Sequence, residues 1–202
     1  MADRIRLLER RDIDELIILD VSERAPRYDE LQRLCDPLFC PVTVGGGIRD
    51  IAAIRRLLAG GADKVSINSA ARERPELINE AAAKFGSQAI VVSIDVRAGE
   101  ANLRAVQWAA ESEQRGAGEI LLTSMDRDGM MDGYDLDLIR AVSHALSIPV
   151  IAAGGCGSYD HMVAAMEAGA HAVASGAMFQ FREMTPKGAA RHLSERGIAT
   201  RI

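Results

Sequence analysis

PVTVGGGIRDIAAIRRLLAGGADKVSINSAA, residues 41–71, decides the fold class. It opens on the apolar run Val42-Thr43-Val44, too short for a helix and rich in β-branched residues. Gly45-Gly46-Gly47 closes that run. Ile51, Ile54, Leu57 and Leu58 then recur at helical spacing on one face, up to Ala59. A second short run follows, Lys64-Val65-Ser66-Ile67. Strand, helix and strand in so short a stretch form a βαβ unit, and its two strands must run parallel.

The same alternation extends both ways. Further short apolar runs are Leu16–Leu19, Ala89–Ile94, Ile120–Leu122, Val150–Ala152 and Ala172–Ala174. They suit strands buried on both faces. Helical spacing covers 75–84, 103–115, 136–146, 159–168 and 186–196, with a short helix near 4–11. Pro75 and Pro186 stand at helix starts and Gly197 follows a helix end. Units of this length favour a (β/α)8 TIM barrel over an open α/β sheet. Seven strands are visible, and the first strand of such a barrel is missing.

An internal repeat accounts for the count. Pro41-Val42 and Gly46-Gly47 recur as Pro149-Val150 and Gly154-Gly155, and Gly61-Ala62 with Val65 recurs as Gly169-Ala170 with Val173. Each pair is 108 residues apart. Residues 1–202 therefore read as one barrel domain made of two halves, approximately 1–85 and 86–202. The strand at Ile90–Asp95 has no counterpart in the first half, because that counterpart would precede residue 1. A barrel missing a strand exposes unpaired edges, so a truncated start is the expectation rather than a natural seven-stranded barrel.

Composition narrows the function classes. The 202 residues carry 24 Lys+Arg against 29 Asp+Glu, a net charge of −5, which gives no electrostatic footing for nucleic acid. Aromatics make up only 4%, too few for single-strand stacking platforms. No apolar run is long enough to span a bilayer, and the start lacks a signal-peptide core. A cytoplasmic protein is expected. Cys35, Cys40 and Cys156 have no ligand spacing, and His144, His161, His171 and His192 are scattered. No metal or other cofactor is expected.

Active sites of such barrels lie at the C-terminal ends of the strands. Gly46 and Gly47 end one strand, and Asn68-Ser69 ends the next. Glycine backbone and helix N-termini suit phosphate oxygens. Gly154-Gly155, Gly176-Ala177 and Gly129 offer a second cradle in the other half. The plain alternative for each glycine is a tight turn, but two cradles related by a repeat favour a long substrate with phosphate at both ends. Asp95 ends an apolar strand and can move protons. Met125-Asp126-Arg127-Asp128-Gly129 ends the next, and Asp20, Thr123 and Ser124 sit at comparable positions. Glu15, Lys64 and Glu119 lie at the opposite strand ends, where alternating charges would cluster, with a structural salt-bridge ring as the simple reading.

IDELIILD (13–20), VTVGGGIRD (42–50), GADKVSINSAA (61–71), FGSQAIVVSIDVR (85–97), RGAGEILLTSMDRDGMMDGYD (115–135) and IPVIAAGG (148–155) together resemble the HisF family, the cyclase subunit of imidazole glycerol phosphate synthase. The resemblance implies a barrel of the histidine-biosynthesis type that takes ammonia from a HisH-type glutaminase in a heterodimer. It implies a lyase that closes the imidazole ring of PRFAR, a bisphosphorylated ribulosyl intermediate, yielding imidazole glycerol phosphate and AICAR. By matching position, Asp95 and Asp128 become the catalytic aspartates present. Gly47, Asn68 and Ser69 match one phosphate site, beside Gly46 of the same glycine turn, and Gly129, Gly155, Gly176 and Ala177 match the other. Asp20, Thr123, Ser124 and Asp126 would help position substrate. Glu15, Lys64 and Glu119 match the charged gate of an ammonia channel.

Three features depart from the family. Its other essential aspartate and a gate arginine belong to the strand missing here. Val96–Asn102 replaces a longer excursion. Met130-Met131-Asp132 stands where threonine and a small or basic residue are usual. These departures keep two alternatives open, a HisF-like ammonia-channelling subunit of a surface-polysaccharide sugar amidotransferase and a non-catalytic truncated barrel.

Overall fold

Each apolar run becomes a strand and each amphipathic stretch a helix, in the order of the sequence. The structure is a computed structural model that describes residues 12–21, 38–97 and 102–200. The helix expected near residues 4–11 and Cys35 lie outside them. The strands are β1 (Leu16–Leu19), β2 (Val42–Gly45), β3 (Lys64–Ile67), β4 (Ile90–Val96), β5 (Glu119–Ser124), β6 (Val150–Ala153) and β7 (Ala172–Val173). The helices are α1 (Ile51–Ala59), α2 (Ser69–Glu73), α3 (Glu76–Phe85), α4 (Asn102–Gln114), α5 (Leu136–Ser143), α6 (Tyr159–Glu167), α7 (Ala177–Phe181) and α8 (Pro186–Glu195). One 3₁₀ turn, Ser87–Ala89, precedes β4. The hydrogen-bonded strand order is β1-β2-β3-β4-β5-β6-β7. Sequential parallel strands joined by helices are the TIM-barrel arrangement with one strand fewer.

Contacts divide the chain into two units. The first holds residues up to Val92 with Gln114–Gly118, and the second holds Ser93–Glu113 with Glu119 onward. In the first, Leu16 pairs with Val42 and Ile18 with Val44, while Val44 pairs with Val65. In the second, Ile120 pairs with Val150 and Leu122 with Ala152, while Ala152 pairs with Val173. The registers correspond residue by residue. The repeat reaches single hydrogen bonds: Asp63 N–H donates to Val42 O at 2.9 Å, and its equivalent His171 N–H donates to Val150 O at 2.9 Å. α1 and α6 start at equivalent residues, each capped by the residue before it. Asp50 accepts from Ala53 N–H at 2.8 Å, and Ser158 from His161 N–H at 3.2 Å. Each cap contributes about 1 kcal/mol.

The core of each unit follows from the alternation. β2 is buried throughout, and β4 is buried except at Asp95. Ile54, Leu77 and Ile78 cover the first unit's strands, and Leu138, Val142 and Met178 are buried in the second. α5 is shorter than the spacing suggests. Beyond Ser143 the ladder tightens, with Ala145 N–H bonding Val142 O at 3.1 Å. β4 is longer than its apolar run, because Met125 N–H donates to Val96 O at 2.9 Å and extends the ladder past Asp95. α2 and α7 were not legible, since five residues are too few to show a period.

Glu113, at the end of α4, accepts from Ser147 N–H at 2.8 Å, Ser147 Oγ at 2.5 Å and Ile148 N–H at 3.1 Å. The Ser147 hydroxyl, chiefly, holds the Glu113 carboxyl below its ordinary value. A depressed carboxylate stabilises above its unfolded pKa of about 4.3, and that contribution disappears as pH falls through the lower folded value. Glu113→Gln is expected to cost about 1 kcal/mol at pH 7, since solvent reaches the group. Denaturant titrations at pH 7 and below pH 4 should show the gap between variant and wild type closing with acid. A gap that persists in acid would contradict the assignment.

Candidate active site

In the first unit, the C-terminal ends of β1, β2 and β3 lie side by side. Asp20 N–H donates to Gly45 O at 2.9 Å, and Gly45 pairs with Ser66. Gly46 has φ +102°, and a Cβ there would lie 2.0 Å from the Asp20 carbonyl oxygen. Close packing against the neighbouring strand thus requires this glycine, whatever it binds. Gly47 also takes positive φ, at +63°, and is exposed. Asn68 ends β3 and Ser69 opens α2, so Ser69 lies in a first helical turn, whose N–H groups lack intrahelical partners.

The second unit repeats the arrangement. Gly154 has φ +86°, and a Cβ there would lie 2.4 Å from the Ser124 carbonyl oxygen, as Gly46 does with Asp20. Gly155 corresponds to Gly47, Gly176 to Asn68, and Ala177 to Ser69. Gly176 directly precedes α7 and is exposed, and a Cβ on it would meet nothing within 4 Å. Gly129 is likewise open, at φ +78°. Gly155 is buried, and its carbonyl accepts from Gly133 N–H at 2.8 Å.

Asp95 sits on β4 two residues beyond Ser93, on the same face, with Ser93 Oγ 3.5 Å from Asp95 Oδ1. The Met125–Val96 bond starts the Asp126–Gly129 loop against the end of β4, beside Asp95. Asp126 and Asp128 are exposed, Thr123 is half-buried and Ser124 is buried. An ionisable group within an otherwise buried strand, next to an exposed acidic loop, is suited to moving protons on a bound ligand.

At the opposite strand ends, Lys64 Nζ pairs with Glu15 at 3.1 Å. Lys64 begins β3, and Glu15 directly precedes β1, so their side chains reach past β2. An ion pair with one partner 43% exposed contributes about 0–1 kcal/mol, too little to count as scaffolding. Glu119, the register equivalent of Glu15, begins β5 and is half-buried.

The histidines take local roles. His171 Nδ1 accepts from Val150 N–H at 3.3 Å, and His161 Nδ1 from Gly157 N–H at 3.2 Å. His192 pairs with Asp160 at 2.8 Å, which chiefly holds that carboxyl below its usual value. Cys40 is half-buried and Cys156 buried, both as free thiols. No group of three His, Cys, Asp or Glu able to hold a metal occurs among the described residues. No helix among them is long and apolar enough to cross a membrane.

Sequence reasoning passed over Gly133 and Tyr134, which touch both the Gly155 turn and the segment after β7. Tyr134 is buried, and its hydroxyl donates to Ala174 O at 2.9 Å. A lone tyrosine in a loop carries no local signal of a partner forty residues on. The order of parallel strands agrees with a family match that covers residues 1–185, described as "Histidine biosynthesis protein". The chain belongs to the histidine biosynthesis protein family, barrel enzymes of that pathway.

Proposed function

We propose that this chain is a HisF-type cyclase within that family. It takes ammonia from a HisH-type glutaminase and closes the imidazole ring of a bisphosphorylated ribulosyl substrate, releasing imidazole glycerol phosphate and AICAR. The observation that carries the reading is the Lys64–Glu15 ion pair at the N-terminal strand ends. The pair contributes little to stability, so its support for the reading lies in its place, charge at the strand ends opposite the acid-bearing loop. A channel admitting a small polar molecule has a use for charge there.

The chemistry distributes over the residues as follows. Ammonia adding to a carbonyl must lose protons while the oxygen gains them, and a carboxylate beside the reacting carbon can serve both transfers. Asp95 takes that role, with Asp128, in the loop that follows β5, as the second acid. The glycine turns supply the phosphate contacts, and Asp95 the proton transfers. Phosphate binding fixes the reacting atoms in place without taking part in the chemistry. A substrate with phosphate at both ends suits a chain whose two units carry equivalent turns.

The short connection 97–101 between β4 and α4 favours a second reading, a HisF-like subunit that channels ammonia to another active site. One experiment separates the two. The chain is incubated with the ribulosyl bisphosphate substrate and ammonium chloride, or with glutamine and a HisH-type glutaminase. Imidazole product in both conditions is expected. Lys64→Met should lower glutamine-supported turnover about ten-fold relative to ammonium-supported turnover, as a gate would. No imidazole product from a folded chain, or isomerisation without ammonia, would overturn the cyclase reading.

A further inference from the structure

We propose that residues 127–134 form a strap that positions the second anion cradle, with the Tyr134 hydroxyl as its anchor. The proposal rests on the reading of Gly155, Gly176 and Ala177 as that cradle. The strap touches both segments that supply it. Gly133 N–H donates to Gly155 O at 2.8 Å. Gly155 lies so near Gly133 that a Cβ on it would come within 2.1 Å of the Gly133 carbonyl oxygen. Tyr134 Oη donates to Ala174 O at 2.9 Å, two residues before Gly176. Met131 packs on Gly157, where a Cβ would lie 2.1 Å from the Met131 carbonyl oxygen.

The strap itself is held in shape. Arg127 Nη1 donates to Gly133 O at 3.2 Å and lies 3.8 Å from Asp132. Met131 has φ +58°, a conformation that a residue with a side chain adopts only when its surroundings enforce it. From the far side, Arg182 Nη1 donates to Gly157 O at 2.8 Å. Tyr134 is only 3% exposed. Burial, chiefly, pushes its phenol far above the usual value, so the hydroxyl keeps its proton and stays a donor.

The consequence is geometric. Hydrogen bonds from backbone N–H groups to an anion lose strength steeply with misalignment, so a small shift of one segment against the other weakens binding. A bond from Tyr134 to Ala174 and one from Gly133 to Gly155 hold the two segments in a single register. Tyr134 is a positioning residue, since it acts through Ala174 and touches no reacting atom.

The test uses the full chain and inorganic phosphate, followed through backbone amide NMR shifts. In the wild type, the Gly176 and Ala177 amides report the second cradle, and Gly47 and Ser69 the first. Tyr134→Phe is expected to weaken phosphate binding about ten-fold at Gly176 and Ala177, and to leave it within about two-fold at Gly47 and Ser69. Turnover should show a raised KM with kcat within about two-fold, the signature of lost uniform binding. Arg127→Met, a milder change at the other end of the strap, should shift the same amides in the same direction. Unchanged affinity at Gly176 and Ala177 in both folded variants would overturn the strap. Loss at all four amides would also overturn it, because that is what general loosening does. A wild type without phosphate shifts at Gly176 and Ala177 would overturn the cradle itself, and the strap with it.

Discussion

Asp95→Asn is expected to abolish imidazole formation while leaving phosphate affinity in both units unchanged. The substitution keeps size and hydrogen-bonding capacity but removes a group that can carry a proton away. Positioned acid–base groups contribute about 10²–10⁴-fold, and the loss should fall in that range, in kcat with KM near the wild-type value. The structural argument lies in β4. Ile90, Val91, Val92, Ser93, Ile94 and Val96 are all buried, and Asp95 alone breaks the run, half-buried. Asp95 is only half-buried, so its desolvation cost is modest, and the isosteric amide keeps the side chain's shape beside Ser93 Oγ at 3.5 Å. Stability should therefore change little on Asp95→Asn. The check is single-turnover product formation together with phosphate titration. Undiminished turnover in the variant would remove Asp95 from the chemistry.

The second large effect is expected from alanine at the first glycine of each turn. Gly46→Ala sets a Cβ 2.0 Å from Asp20 O, and 2.7 Å from both Asp20 C and Asp20 N, at φ +102°. Gly154→Ala sets one 2.4 Å from Ser124 O at φ +86°. The opposing atoms are backbone of an adjacent strand end, so they cannot turn aside as a flexible side chain can. Strain at positive φ and overpacking together should cost about 2–4 kcal/mol at each site. Gly176→Ala is the control. A Cβ there meets nothing within 4 Å, and its φ is −103°. Its stability should stay within about 0.5 kcal/mol of wild type. Its phosphate affinity should fall nonetheless, because the methyl group occupies the approach of an anion. Urea unfolding of the three variants decides the matter. Equal stability losses at 46, 154 and 176 would show that packing against the strand ends is not what selects glycine at 46 and 154.

The βαβ alternation, all seven strands and six helices were legible because hydrophobic patterning is a local property: a short apolar run marks a strand, although β1 and β7 turn out less buried than the others, and an apolar face every 3.6 residues marks a helix. The 108-residue spacing was legible too, and it carries through to register, helix starts and caps, since the same short segments solve the same packing problem twice. α2 and α7 were not, because one turn of helix has no period to detect.

The glycines show the boundary most clearly. By sequence, Gly46, Gly154 and Gly176 are alike, each a small residue after a strand. Only the tertiary structure divides them, since the division depends on which backbone lies opposite a missing Cβ. The same holds for Lys64 and Glu15, 49 residues apart yet 3.1 Å from each other, and for Tyr134 and Ala174. The order of elements, the parallel sheet and the strand ends that carry Asp95 and the glycine turns follow from local burial and connection length, and so were legible in the residues. Which strand end packs on which, which carboxylate meets Lys64 and which carbonyl meets the Tyr134 hydroxyl could be seen only in the folded chain, because each depends on a distance between residues that no local pattern relates.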